Sequence, residues 1–280
     1  VQKILFILFF IFFHTPNILM YEIMSYDEYS KIQHEVPYSF VISYDDQHLF
    51  YFGANHSCDP ENNQYPKLEQ FWNEFLAATS GENNIVLVEG SLRNVRDSKI
   101  EAITQAGGEG GFITFLASQK SIKRFCPEPT EQELYMKLLE NFCKEDIDYL
   151  KFAQICLQFH RYKEIDSAIN FEIFYQSYSK VINNFQDLNV MKKVHKDLFH
   201  NEFDITNERF FYNVVNPVDA YCNINNVARA ASQIRDQYIV NCIEMFLKQG
   251  KNVFIVYGCT HAVMQENALK SVFTKVRYKK

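Results

Sequence analysis

The sequence predicts an α/β fold: a mixed central sheet flanked by helices, arranged as two related βα halves with a helical insertion in the middle. Three observations predict it. The apolar runs at 48–52, 85–89 and 252–257 are short and rich in Val, Ile, Leu and aromatics, as buried parallel strands are. Segments of helical period separate them, the alternation expected of helices crossing over a sheet. Two of these strands also end alike, in Phe52-Gly53-Ala54-Asn55-His56 and Tyr257-Gly258-Cys259-Thr260-His261.

Each element follows from local pattern. Residues 38–44 alternate as a strand, Asp45-Asp46-Gln47 turns the chain, and 48–52 returns to form a hairpin. Leu68, Phe71, Phe75 and Leu76 recur at helical spacing within 66–79, and Gly81-Glu82-Asn83-Asn84 breaks that helix before the strand at 85–89. Gly107-Gly108-Glu109-Gly110-Gly111 opens a helix over 112–118, and 121–127 offers one more short strand, with Glu128 just beyond it. These glycines suit close helix packing or an anion cradle, but their spacing matches neither a P-loop nor a dinucleotide fingerprint. Residues from 131 to about 200 read as the helical insertion, and its Lys192, Lys193, His195, Lys196 and His200 as a solvated helix face. A long helix over 227–248 carries Ile234, Tyr238, Ile239, Cys242 and Phe246 on one stripe and stops at Gly250. The strand at 252–257 and a closing helix from His261 complete the fold.

The first 24 residues are set apart from the single domain at 25–280. Ten consecutive apolar residues at 4–13 are too few to span a bilayer but suit the central region of a signal peptide. The flanks lack a small-residue cleavage site, so export and a cytoplasmic protein with a misassigned start both remain open. Membrane association is expected only through this segment.

A chain of 280 residues with 47% apolar and 22% charged content can bury a sizeable core. A net charge of −6 and the lack of a basic run with interleaved aromatics argue against nucleic acid as a partner. Seven scattered cysteines without a Cys-x-x-Cys pair argue against a disulfide framework and a zinc–thiolate site.

Chemistry concentrates at strand exits. Each Gly lets the backbone turn sharply, with positive φ if needed, and the following His projects from the rim where α/β sheets bind ligands. His56 and His261, 205 residues apart, are thus expected to converge on one site with Glu89. Two imidazoles and a carboxylate suit a divalent transition metal (Mn, Co or Zn) with positions left for water. They equally suit a metal-free general base with an orienting acid. Arg235 and Asp236 lie on the helix behind the site, where a guanidinium fork can orient a site Glu, bind a substrate carboxylate, or form a structural pair. Glu128 is a weaker second acid candidate.

Arg235-Asp236 on its helix, followed by the strand ending in Gly258-Cys259-Thr260-His261, resembles the TraB-type signature of the Tiki superfamily. That superfamily includes TraB/PrgY/GumN proteins, ChaN haem-uptake proteins and erythromycin esterases. The resemblance covers about residues 38–270 with a variable middle, and places the first Gly-x-x-His at Gly53–His56 and the family's Glu at Glu89. It implies a duplicated α/β fold and a metal-dependent hydrolase acting on a peptide or small-molecule ester. His56, Glu89 and His261 would be both ligands and catalytic groups, with Arg235 and Asp236 binding substrate. It also implies alternatives: a metal-free esterase, a haem-binding protein, or a non-catalytic regulator. Ala54 and Asn55 stand where the esterases carry a Glu, and Ile234 replaces the Glu of the TraB-type Glu-Arg-Asp.

Overall fold

Alternation within the strands sorts the core into two faces of one sheet. The computed structural model describes residues 21–79, 81–165, 167–179 and 186–277. The apolar segment at 4–13, expected to be signal-like, lies outside the described residues. The sheet contains β1 (Tyr38–Tyr44), β2 (Gln47–Ala54), β3 (Asn84–Val88), β4 (Lys123–Phe125) and β5 (Asn252–Gly258), in the order β1-β2-β5-β3-β4. β1 runs antiparallel to β2, and the other neighbours are parallel. The expected mixed α/β class is thus the fold.

The helices are α1 (Tyr26–Tyr29), α2 (Gln64–Ala78), α3 (Lys99–Gln105), α4 (Glu109–Gln119), α5 (Glu131–Leu139) and α6 (Lys144–Ile165). After these come α7 (Phe171–Ser179), α8 (Leu188–Phe199), α9 (Glu208–Val215), α10 (Asn223–Lys248) and α11 (Cys259–Arg277). Leu49, Tyr51, Leu87, Val253, Ile255 and Tyr257 point to one face, against α11 and the second half of α10. Phe50, Phe52, Val86, Val88, Phe254 and Val256 point to the other, against α2 and α4. Every residue of β3 and β5 is buried, which is why these strands read as unbroken apolar runs rather than alternating ones. β1 closes the sheet as an edge strand, and only its Tyr38, Phe40, Ile42 and Tyr44 pack inward.

The insertion between β4 and β5 is helical, as expected, and has its own core. Tyr149, Phe152, Phe159, Phe171, Phe211 and Ile224 belong to it, and so do Val227, Ala228 and Ala231 at the start of α10. One helix therefore serves two cores, with its first half in the helical subdomain and its second half under the sheet. Arg235 and Asp236 lie at the changeover.

Two expectations change. His195 does not lie on a solvated face: it is 3% exposed, and its ring nitrogens meet the Tyr149 hydroxyl (2.6 Å) and Asn201 Oδ1 (2.7 Å). Burial lowers its pKa, so it is an uncharged member of an aromatic core. Residues 21–24, set outside the fold by sequence, pack on it. Tyr21 is buried, its N–H donates to Gln237 Oε1 (3.0 Å), and the Met24 N–H donates to the Met264 carbonyl (3.2 Å). The apolar run that marks the preceding residues ends before these polar backbone contacts begin.

Candidate active site

All four parallel strands end on one rim, and each delivers a chemical group there. His56 follows β2 by two residues, Glu89 follows β3 directly, Glu128 stands three residues past β4, and His261 lies in the first turn of α11 after β5. β2 and β5 are adjacent, with Ala54 paired to Gly258, so the two Gly-x-x-His exits lie side by side. This is the carboxyl edge at which α/β sheets take ligands.

The glycines of the two motifs are needed for close approach, and neither uses the positive φ that the sequence left open to it. A Cβ on Gly53 would sit 2.7 Å from the Ala262 Cβ and 2.8 Å from the Tyr38 carbonyl oxygen. One on Gly258 would sit 2.9 Å from His56 Nε2 and 3.5 Å from Glu89 Oε2. Gly53 therefore lets α11 start against β2, and Gly258 leaves room for the site side chains. Positive φ belongs instead to Gly108 (+63°), which turns the chain into α4 while touching the Ser57 carbonyl. That turn places Glu109, the first residue of α4, beside His56.

The three residues expected to converge do so. Glu89 stands between the imidazoles: His56 Nε2 lies 3.8 Å from its Oε2, and His261 Nε2 lies 3.7 Å from its Oε1. Each ring is held from behind by its own carboxylate. His56 Nδ1 pairs with Glu109 Oε1, and His261 Nδ1 with Asp236 Oδ1 at 2.5 Å. Since a carboxylate accepts, each Nδ1 carries a proton, and each Nε2 faces Glu89 and the cleft. Glu89 Oε2 also accepts the Gly258 N–H at 2.7 Å.

Arg235 donates through Nε and Nη2 to the two oxygens of Glu128, both at 2.9 Å, and reaches Glu89 Oε1 at 3.4 Å. Its planar fork is thus filled by site carboxylates, the orienting role open to it from sequence. Asp236 is wholly buried, accepts from Gln265 Nε2 (2.7 Å) as well as His261, and is backed by Tyr51 through Gln265. Arg235 also lines the cleft, whereas Asp236 lies behind His261.

The local electrostatics follow from these contacts. The Glu109 hydrogen bond, with help from the charges of Glu89 and Glu109, raises the His56 pKa against the effect of burial. Burial alone would lower that of His261, but Asp236 and Glu89 outweigh it and the net shift is upward. Burial works to raise the Glu89 pKa, yet the charges of His261, Arg235 and His56 hold it at about 2. The His56 side chain is 57% exposed, against 11% for His261, so solvent reaches the first ring far more readily.

The site opens into a cleft of about 870 Å³ between the sheet rim and the helical subdomain. Tyr26, Tyr29 and His34 from the first described segment line one side of it. Cys259, also on its wall, is buried with Sγ 3.5 Å from His34 Nδ1, and burial raises its thiol pKa, which suits packing rather than nucleophilic attack.

The donor set suits a divalent cation in its chemistry, since imidazole nitrogens with carboxylate-bound Nδ1 atoms are familiar ligands. Among the described residues, no group of three or more His, Cys, Asp or Glu side chains is placed to hold a metal ion. The two imidazoles face different oxygens of Glu89, and one of those oxygens already meets the Arg235 cation.

Glu109 is the site residue that sequence reasoning passed over. It sits among glycines read for packing, and only the turn at Gly108 brings it to His56. Gln265, four residues after His261 on the same helix face, carried a usable signal in that spacing.

A scan of protein-family models, a search of curated proteins and a search of solved structures each find no match to this chain.

Proposed function

We propose that the chain is a hydrolase of ester or peptide bonds, with His56 as general base and His261 as the cationic partner. The observation that supports this most is the facing pair of imidazoles, each fixed by its own carboxylate, around Glu89 at the mouth of a cleft. The more exposed ring, His56, takes a proton from water through Nε2, while Glu109 fixes its tautomer and stabilises the resulting imidazolium. The water oxygen bonds to the acyl carbon as the carbonyl π pair moves onto oxygen. Buried between Asp236 and Glu89, His261 is doubly protonated and donates its Nε2–H as a hydrogen bond to that oxyanion. Collapse breaks the acyl–oxygen or acyl–nitrogen bond, and the proton held on His56 passes to the leaving group. Arg235 keeps Glu128 and Glu89 in place. The motif resemblance to the Tiki superfamily supports the same reaction class.

A metal-assisted version of this hydrolysis is favoured by one observation, the shared aim of the two Nε2 atoms toward one carboxylate. His56, Glu89 and His261 would hold the ion, which would supply Lewis acidity. Assaying purified protein on p-nitrophenyl esters and fluorogenic peptides, before and after exhaustive chelation, separates the two. Activity that survives chelation and falls about 10²-fold or more in His56→Ala and His261→Ala supports the metal-free reading. Loss on chelation with recovery on adding Mn, Co or Zn transfers the chemistry to the ion. No turnover in either preparation overturns the hydrolase reading.

A further inference from the structure

The cleft that receives the site has two unlike ends, and helix geometry makes them so. Along α10, Ala228, Ala231, Ser232 and Arg235 line the cleft at spacings of three, one and three, a single helical stripe running from apolar to charged. On the facing α6, Ile147 and Leu150 line it likewise. With Leu134 and Leu138 of α5, these residues form an apolar stretch of the cleft wall on the side of the helical subdomain, the α5–α6–α10 arm, beside Glu131, Lys151 and Gln154 of the same helices. A cleft of about 870 Å³ is large for a small-molecule site, which commonly spans roughly 300–1,000 Å³.

Charge narrows the choice of occupant. The Lys and Arg side chains described on the cleft wall are already paired, Arg235 with Glu128 and Lys151 with Glu131, and His261 is held between Asp236 and Glu89. The rim itself carries Glu89, Glu109 and Glu128, so an anionic substrate meets repulsion without a free counter-charge. From this we infer that the substrate is a neutral ester or amide whose acyl group is apolar and extended, seated in the α5–α6–α10 arm with its carbonyl at His56 and His261. The inference rests on the hydrolase reading and adds its substrate class.

A series of p-nitrophenyl esters from acetate to decanoate tests it. In the wild type, kcat/KM climbs about fourfold per added methylene over the first part of the series, the factor expected when each methylene leaves water. Ala231→Phe fills the arm and lowers the octanoate-to-acetate ratio of kcat/KM at least about tenfold, and Leu138→Ala, which enlarges it, moves the optimum to a longer chain. A thermal melt of each variant confirms that it is folded before its ratio is read. Hydrolysis that is flat in chain length, or a ratio that neither substitution moves, overturns the inference and leaves the hydrolase reading standing. If neither ester nor peptide is turned over, the hydrolase reading fails and the arm is tested by binding of the neutral probe N-phenyl-1-naphthylamine. Binding by the wild type that weakens in Ala231→Phe supports an apolar ligand arm, and equal binding by both, or by neither, overturns it.

Discussion

In the proposed mechanism Glu109 and Arg235 each act through another residue, and each should leave a separate mark on kinetics. The Glu109 hydrogen bond is the largest influence raising the His56 pKa, and a base must be unprotonated to accept from water. In the wild type, kcat/KM therefore rises with pH through a value above the ordinary 6.5 of histidine. Glu109→Gln keeps the side-chain size but removes the charge. Its pH–rate profile should shift the acidic limb to lower pH while the plateau drops about 10²-fold. An unmoved limb would show that His56 is not the titrating base. Arg235 makes a different prediction, because lysine cannot serve both oxygens of Glu128 and reach Glu89 as well. Arg235→Lys should lower kcat about 10- to 100-fold with little change in KM. A rise in KM at constant kcat would instead return Arg235 to substrate binding. His56, Glu89, Arg235 and His261 were legible because each stands at a recognisable strand exit or on a strongly periodic helix. Glu109 was not, since its contact depends on the φ of one glycine.

At the level of elements, the two repeated motifs look alike in sequence yet constrain different things. Gly53 is pressed by the start of α11 and by the backbone of β1, none of which can move without shifting an element. Gly258 is pressed mainly by the movable His56 ring and by Glu89. Gly53→Ala should thus destabilise the fold by about 1–3 kcal/mol, measured by urea unfolding. Gly258→Ala should retain stability far better while turning His56 out of place and removing most activity. Equal loss of stability in both would show that the motif glycines serve packing alone. Strands and long helices were readable because their apolar periods report burial directly: β1 matches its expected bounds, and β5 extends its expected run by one residue. What periodicity could not reveal is that the strand between β2 and β3 comes last in sequence. Strand order is a long-range choice that no local pattern encodes. The packing of residues 21–24 was missed for a similar reason, since their partners lie over two hundred positions away.

For the whole molecule, the two cores should respond to pH in opposite directions. His56 and His261 serve the sheet rim and have raised pKa values in the folded state. Their contribution to stability is complete below the unfolded value of 6.5 and is lost as pH rises through their folded values. His195 serves the helical subdomain, and its pKa is lowered by burial. Its contribution is complete above 6.5 and is lost as pH falls through that value toward its folded one, because the unfolded chain then binds a proton that the folded core refuses. Glu89 adds nothing to this contrast near neutrality, since its pKa of about 2 places its own loss between 4.5 and 2. The chain contains one tryptophan, Trp72, buried on α2 against Phe254 of the sheet, so its fluorescence reports the α/β core. Far-UV circular dichroism is weighted toward the helices, many of which belong to the subdomain. Lowering the pH from 8.5 to 5.5 should raise the melting temperature seen by Trp72 and lower that seen by dichroism, which should separate the two transitions. His195→Phe, which keeps an aromatic ring but cannot take a proton, should abolish the fall seen by dichroism and leave the rise at Trp72. Coincident transitions at both pH values would show that α10 fuses the two cores into one cooperative unit, with the histidines acting on their sum.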